Sequence, residues 1–249
     1  MKAIIVMLFV LVSTCAFSAD KDHIKVCYLE WGKQGGNHLP DKGFNPDLFT
    51  QVLTEAGYSS QVDIMPWARC LLHVEKGSYD MVAGLWIDDN NKKKYEFFDP
   101  VSIDEISFMS LQGLKVKSGS LEDFKGKTIG VLRGAGGMDF LKSGDFTIKI
   151  AKDDNQMIEL LKYSRVDAVV SNTPHLISVI EDRYPELSGK TKVWKPALLT
   201  NISAPAISLN HPNKTELKAR FNTALKHLKA TGIYEVLAKK HGIVIKYAK

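Results

Sequence analysis

Two arginines stand where the chain could hold a negatively charged molecule. Arg69 lies in the first turn of a predicted helix that opens at Pro66. A cation there opposes the helix dipole, which indicates a role other than stabilising the helix. Arg133 precedes the glycine-rich turn Gly134–Gly137 and a short predicted helix, Met138–Lys142, and free backbone N–H groups in such a turn attract anions. For each arginine, a solvent-exposed position without a ligand is the alternative.

Four further residues offer other contacts to a small molecule. Trp31 and Trp86 each follow a predicted strand, and indole rings cover apolar parts of a ligand or stack on cationic and planar groups. Packing in the core is the alternative for both. Glu30 could accept a hydrogen bond from a ligand ammonium or could face solvent. Asn172 begins a predicted helix, where it can cap the helix, contact a ligand or do both.

The sequence carries no recognisable catalytic or metal-binding motif. Its seven histidines are dispersed, with no His-Glu-x-x-His pair for zinc and no Gly-x-Ser-x-Gly turn for a nucleophilic serine. We therefore expect no catalytic residue, no metal site and no cofactor, and we interpret the six residues above as ligand-binding residues.

The segments around these residues predict an α/β fold. Strands and helices alternate as β-α-β-α-β over residues 24–85 and as β-α-β-α-β-α-β over residues 127–194, with apolar residues every three or four positions in the helices. A strand at Ala206–Leu209 and helices at Glu216–Lys229 and Ile233–Lys240 follow. Such runs predict parallel sheets covered by helices, and ligands of these sheets bind beyond the carboxyl ends of the strands. Two facing units would form a cleft that closes on its ligand.

Composition and charge exclude several classes of protein. The chain has 249 residues, of which 45% are hydrophobic and 24% charged, an ordinary globular composition. The formal net charge is +5, but the basic residues are scattered, and the longest basic run is Lys92–Lys94. Because zinc-finger spacing, RNA-binding aromatic motifs and a basic helix are all absent, we expect no nucleic-acid partner. We expect a monomer.

Residues 1–19 have the composition of a signal peptide. A lysine is followed by the apolar run Ala3–Val12, which is too short for a permanent membrane span, and small residues follow it. Cleavage near residues 18–19 would release the rest of the chain into the periplasm. Attachment of a lipid at Cys15 is the less favoured alternative, because Thr14 is a poor residue before a lipidated cysteine.

Two cysteines remain after that cleavage, in an oxidising compartment. Cys27 lies on the first predicted strand, and Cys70 lies on the core face of the next crossover helix. In a 2-1-3 strand order that helix passes over the first strand, so a disulfide between the two residues is feasible. Two free buried thiols are the favoured interpretation.

A series of short segments stands in the order found in one protein family. They are Gly43–Leu48, Pro66–Trp67, Gly77–Asp80, Phe97–Pro100, Leu121–Val131, Arg165–Val170 and Thr231–Tyr234. From about residue 24 to residue 243, the chain resembles the family 3 extracellular solute-binding proteins, the polar amino-acid-binding components of ABC importers. Each segment alone is weak, whereas the ordered series behind a signal peptide is a strong signal.

The resemblance implies a type II periplasmic-binding-protein fold with two lobes and a hinge cleft. Lobe one would comprise residues 20–103 and 204–249, and lobe two residues 104–203. The implied function is a periplasmic solute-binding protein of an ABC-type importer. Such a protein binds a small polar ligand, amino-acid-like or an organic acid, between its lobes, has no enzymatic activity, and is recognised by membrane permease subunits.

Two other functions stay open on the same scaffold. A periplasmic enzyme that resembles cyclohexadienyl dehydratase would need an acid group and cations for carboxylates, and Glu30, Arg69 and Arg133 are available for those roles. A soluble sensor that presents its ligand to a membrane receptor is the other alternative.

The chain departs from the family pattern where amino-acid binders clamp the α-amino and α-carboxyl groups. The arginine that usually holds the carboxylate is Asn91, the aspartate that usually holds the ammonium is Asn172, and the Gly-Thr pair of the carboxylate cradle is Gly134-Ala135. Asparagine cannot replace a bidentate arginine–carboxylate pair in strength. Either the ligand is not a standard α-amino acid, or another cation takes over the clamp: Arg69, Lys92 or Arg133.

Overall fold

The structure is a computed structural model that describes residues 23–133, 141 and 144–243. Its strands are β1 (His23–Tyr28), β2 (Ser59–Ile64), β3 (Met81–Trp86), β4 (Tyr95–Phe97), β5 (Ser102–Leu111), β6 (Thr128–Leu132), β7 (Thr147–Ala151), β8 (Ala168–Asn172), β9 (Thr191–Val193) and β10 (Leu199–Ser208). Its helices are α1 (Phe44–Glu55), α2 (Trp67–Glu75), α3 (Asp154–Lys162), α4 (Thr173–Arg183), α5 (Lys214–Ala230) and α6 (Ile233–Lys240).

The strands form two parallel blocks that are joined by two long crossing strands. The order is β2-β1-β3-β10-β5-β8-β6-β7, with β4 also paired to β10 and β9 to β5. Neighbours within β2-β1-β3 are parallel, as are those within β8-β6-β7. The crossing strands β5 and β10 pair with each other in antiparallel register, Ser102–Ile106 against Leu199–Ser203. We call the block around β1 lobe one and the block around β6 lobe two.

Both faces of each block carry helices or apolar side chains that bury a core. In lobe one, α1, α5 and α6 cover one face through residues such as Phe49, Phe221 and Tyr234, and α2 covers the other. In lobe two, α3 and α4 cover one face. An aromatic cluster that includes Phe108 and Trp194 covers the other face. Each lobe therefore has an apolar core of its own, and polar residues are left for the contact between the lobes.

Cys27 and Cys70 form a disulfide, with their Cα atoms 5.6 Å apart. The strand order β2-β1-β3 carries α2 across β1 and so brings Cys70 over Cys27. The interpretation of these residues as two free thiols is therefore wrong.

Several elements differ from those that the sequence predicts. The strands β4 and β5 are not predicted, because the charged pair Asp104-Glu105 interrupts the apolar pattern of β5, and β10 is ten residues long where a shorter strand is expected. Pro66 caps α2 and is not its first residue. The helix predicted over Met138–Lys142 lies, except for residue 141, outside the described residues. In the described part of the chain, no helix is long and apolar enough to cross a membrane.

Candidate functional site

The two lobes touch along a seam formed by the loop after β1, the end of β3 and the start of α4. The ring of Trp31 stacks on the imidazole of His175, with ring centroids 3.9 Å apart and planes within 6°. Lys33 Nζ lies 3.2 Å from Glu181 Oε2 across the same contact. Since β1, β3 and β8 all end at this edge, the seam is the place where α/β sheets bind ligands.

A buried aspartate on the crossing strand β5 joins the ends of β3 and β8. Trp86 Nε1 donates to Asp104 Oδ2 at 2.6 Å, and Asn172 Nδ2 donates to Asp104 Oδ1 at 2.8 Å. The side-chain oxygen of Asn172 also accepts from the backbone N–H of His175 at 3.0 Å and so caps α4. One carboxylate thus receives a hydrogen bond from each lobe.

The surroundings of Asp104 oppose its negative charge. Only 8% of the residue is exposed, and this burial raises the pKa of its carboxyl. The hydrogen bonds from Trp86 and Asn172 and the nearby charge of His175 offset this effect only in part. Burial also raises the pKa of Tyr28, and the nearby charge of Asp104 raises it further, so the phenol stays protonated. Within the described chain, no lysine or arginine forms an ion pair with Asp104.

Several buried polar atoms beside Asn172 lack a hydrogen-bond partner among the described residues. They include Nδ1 of His175, Oγ1 of Thr173, Oγ of Ser107 and one carboxylate oxygen of Asp154. The other oxygen of Asp154 lies 2.9 Å from His175 Nε2. Buried polar groups are nearly always satisfied in folded proteins, so this end of lobe two has spare capacity to bind a polar ligand.

Three of the six predicted site residues meet at the seam. Trp31, Trp86 and Asn172 belong to the contacts described above. Glu30, Arg69 and Arg133 are exposed, and no side-chain contact within the described part of the chain ties them to the seam. The glycine-rich turn after Arg133 lies outside the described residues, so the predicted anion cradle stays a prediction.

Asn91, at the position of the family's carboxylate-binding arginine, is committed to its own loop. Its amide donates to Trp86 O at 2.9 Å and to Asp88 Oδ2 at 3.0 Å, while Asp88 accepts from the backbone N–H groups of Asn90 and Asn91. The residue therefore holds the loop after β3 and the Trp86 backbone in place, and it brings no positive charge to the seam.

Sequence reasoning missed Asp104, His175 and Tyr28 as parts of this site. Asp104 lies within a strand that was not predicted, and its two partners are 18 and 68 residues away along the chain. The available signal was two adjacent acids, Asp104 and Glu105, inside an otherwise apolar stretch, since charged residues are rarely buried without a purpose.

A second buried acid lies far from the seam, where α6 meets the start of α1. Asp47 Oδ2 is 2.6 Å from Lys240 Nζ and 2.8 Å from His241 Nε2, and Asp41 is 2.7 Å from the same lysine. The potential ligand atoms of Asp41, Asp47 and His241 lie within 4.8 Å of one another. The ammonium of Lys240 contacts both carboxylates and His241 contacts Asp47, so the cluster is explained as an ion-pair network that holds α6.

Comparison with known proteins finds a matching family and several relatives of this chain. The model of the bacterial extracellular solute-binding proteins, family 3, matches residues 36–243. The L-cystine-binding protein TcyJ of Escherichia coli K12 is 22% identical over 201 residues, which cover 80% of this chain and 73% of TcyJ. The arginine-binding extracellular protein ArtP of Bacillus subtilis is 24% identical, over 84% of this chain and 79% of ArtP.

Solved structures share the fold. The GluR0 ligand-binding core from Nostoc punctiforme, in complex with L-glutamate, superposes with a TM-score of 0.75 at 20% identity, over 87% of this chain and 98% of that core. The predicted α/β class with two lobes of the type II periplasmic-binding-protein fold is confirmed.

Proposed function

This chain belongs to the bacterial extracellular solute-binding proteins of family 3, and on that premise we propose that it is the periplasmic ligand-binding subunit of an ABC importer. It would capture a small polar solute, amino-acid-like or an organic acid, between its lobes and present the closed form to membrane permease subunits. The relatives that bind L-cystine and arginine support this class of solute. The chain would be exported after cleavage near residues 18–19 and act as a monomer without catalysis.

One observation carries the proposal: Asp104 accepts a hydrogen bond from Trp86 of lobe one and another from Asn172 of lobe two. A ligand that enters this seam would contact both lobes at once and would favour the closed arrangement. We propose Trp31, Trp86 and Asn172 as its contacts, with Glu30, Arg69 and Arg133 at the rim. The lobes would comprise residues 20–103 with 204–249, and residues 104–203.

A thermal-shift screen of residues 20–249 tests the function directly. The panel would contain amino acids, dicarboxylates, polyamines and small aromatic acids. A true ligand at a hundredfold excess over its Kd stabilises the native state by about 2.7 kcal/mol. Trp86→Ala should remove the shift, whereas Tyr163→Ala, at an aromatic residue that is 63% exposed, should keep it.

Absence of a shift with every compound in the panel would contradict a solute-binding role. Release of a product from prephenate, followed by ultraviolet absorbance, would instead establish an enzyme on this scaffold.

A further inference from the structure

We propose that Asp104 is the anchor for a positively charged nitrogen of the solute, and that the solute is therefore an organic cation or a cationic amino acid. The inference rests on the proposed function and narrows it, since it identifies the chemical group that the site recognises. It also assigns the anchor to a residue outside the family's usual amino-acid clamp, where this chain has Asn91 and Asn172.

The first support is the unpaired charge of Asp104. An ionised carboxylate has about four acceptor positions, and the described chain fills two of them with neutral donors, Trp86 and Asn172. Burial of a charge is unfavourable unless an opposite charge or further hydrogen bonds compensate. A ligand ammonium or guanidinium would supply the missing counter-charge and use the two remaining acceptor positions.

The second support is the composition of the walls around this carboxylate. Trp31 and Trp86 contribute indole rings to the seam, and the π faces of such rings attract cations. One face of Trp31 is covered by His175, and Asp154 has an oxygen without a partner among the described residues. Lys33, the lysine that bridges the seam, is already paired with Glu181. The seam therefore offers a cation both negative oxygen atoms and aromatic faces.

The third support is the neutral residue at the family's carboxylate-binding position. The amide of Asn91 is occupied by Trp86 O and Asp88, so the end of β3 provides no positive charge for an anionic ligand. A positively charged solute therefore meets no repelling positive charge from Asn91.

Protonation of Asp104 provides a signature that a merely structural aspartate would lack. Burial raises the pKa of this carboxyl, and a bound cation would lower it again, so binding should expel a proton and weaken on acidification. Among the described residues, the groups that face Asp104 are Tyr28 from β1, Trp86 from β3, Asn172 at the end of β8 and His175 on α4. Of these, Tyr28 and His175 carry ionisable side chains.

Isothermal titration calorimetry of residues 20–249 tests the inference with matched compounds. L-arginine, agmatine and putrescine are the cationic probes, L-citrulline is the neutral isostere of L-arginine, and L-glutamate and succinate are acidic probes. We expect at least one cationic probe to bind. Its binding should release protons, which is measured by comparing the heat of binding in buffers of different ionisation enthalpy. L-citrulline should bind at least a hundredfold more weakly than L-arginine.

Two variants on the same strand isolate the charge. Asp104→Asn should weaken binding of the cation at least a hundredfold, while Glu105→Gln should change it less than threefold, because Glu105 pairs with Lys195 at the surface. If Asp104→Asn fails to fold, the pair L-arginine and L-citrulline and the proton release decide the question on the unmodified protein.

Tightest binding of L-citrulline, L-glutamate or succinate, or retention of cation binding in Asp104→Asn, would overturn the inference and leave the importer function standing. Failure of all three cationic probes also overturns it, whatever the thermal-shift screen finds with other solutes.

Discussion

Two aspartates, Asp47 and Asp104, are buried to a similar extent, but the pKa values of their carboxyl groups are shifted in opposite directions. They are 6% and 8% exposed. Burial opposes ionisation of Asp47, but hydrogen bonds and charges from Lys240 and His241 outweigh it and hold the pKa below its ordinary value. Asp104 has neutral donors in their place, and its pKa is raised. The difference separates a carboxylate that stabilises the fold through paired charges from one that we propose to bind a ligand.

The contrast also explains why the two regions serve different purposes. The junction of α6 with α1 pairs its charges inside the protein, so it contributes to stability and needs nothing further. Among the described residues of the seam, Asp104 has no lysine or arginine partner and His175 Nδ1 has no hydrogen-bond partner. Functional sites commonly sacrifice stability in this way.

The largest expected effect is a loss of stability on substitution of Asp47. Asp47→Asn should lower the free energy of unfolding by about 3 kcal/mol, because it removes the partner of two charged groups in a buried network. Urea denaturation measures this loss. Asp104→Asn is the matched variant at the seam and should change stability by less than about 1 kcal/mol. Equal losses in both variants would remove the distinction between the two sites.

Opening the seam without touching either aspartate is expected to have the next largest effect. A Cβ at Gly32, where φ is +50°, would lie 2.2 Å from Ser178 Oγ on α4. Gly32→Val should disfavour the closed arrangement by about 2 kcal/mol and weaken solute binding about thirtyfold. Small-angle scattering would report a larger radius of gyration.

Gly77→Val is the control for that change. Gly77 also has positive φ, at +73°, but its added Cβ would meet nothing within 4 Å. The variant carries the same type of backbone strain without the clash, so closure and binding should be unaffected. A loss of binding in both variants would assign the effect to strain and not to contact between the lobes.

Acidification should change the contributions of the two aspartates to the free energy of unfolding in opposite directions, each by on the order of 1 kcal/mol. The stabilisation from Asp47 is present above the carboxyl pKa of the unfolded chain, about 4, and is lost as the pH falls through the lowered pKa of the folded state. Asp104 binds a proton more readily when folded, so its burial becomes less unfavourable as the pH falls through the raised pKa. Urea titrations from pH 7 to pH 3 should show Asp104→Asn losing stability relative to the unmodified protein. This loss should begin at a higher pH than the loss of the stabilisation from Asp47.

The smallest expected effect is at the surface pair of the seam. Lys33 and Glu181 are 38% and 51% exposed in their side chains, and such pairs contribute about 0.2–1 kcal/mol. Lys33→Ala should therefore weaken solute binding less than about fivefold, and the difference should shrink in high salt. A loss above a hundredfold would mean that this pair, and not Asp104, dominates the seam.

The sequence predicts the lobes better than it predicts the seam. The apolar spacing of helices such as α1 and α4 and the family segments locate both α/β units. The sequence singles out Trp31 and Trp86 because they follow predicted strands, and Asn172 because it begins a predicted helix. Asp104 is not found, because its role depends on partners that only the crossing of β5 brings together. Local patterns report what a segment buries, and they do not report which distant side chains share one carboxylate.

The route of the chain through the two lobes has a consequence for the order in which it can fold during synthesis. Lobe two is nearly continuous in sequence, whereas the core around α1 is completed by Phe221, Leu225 and Tyr234 from the last two helices. Until those helices have emerged, Phe49 lacks the ring of Phe221, which packs on it at a centroid distance of 5.5 Å. Lobe one therefore cannot complete its core until its last two described helices have been translated.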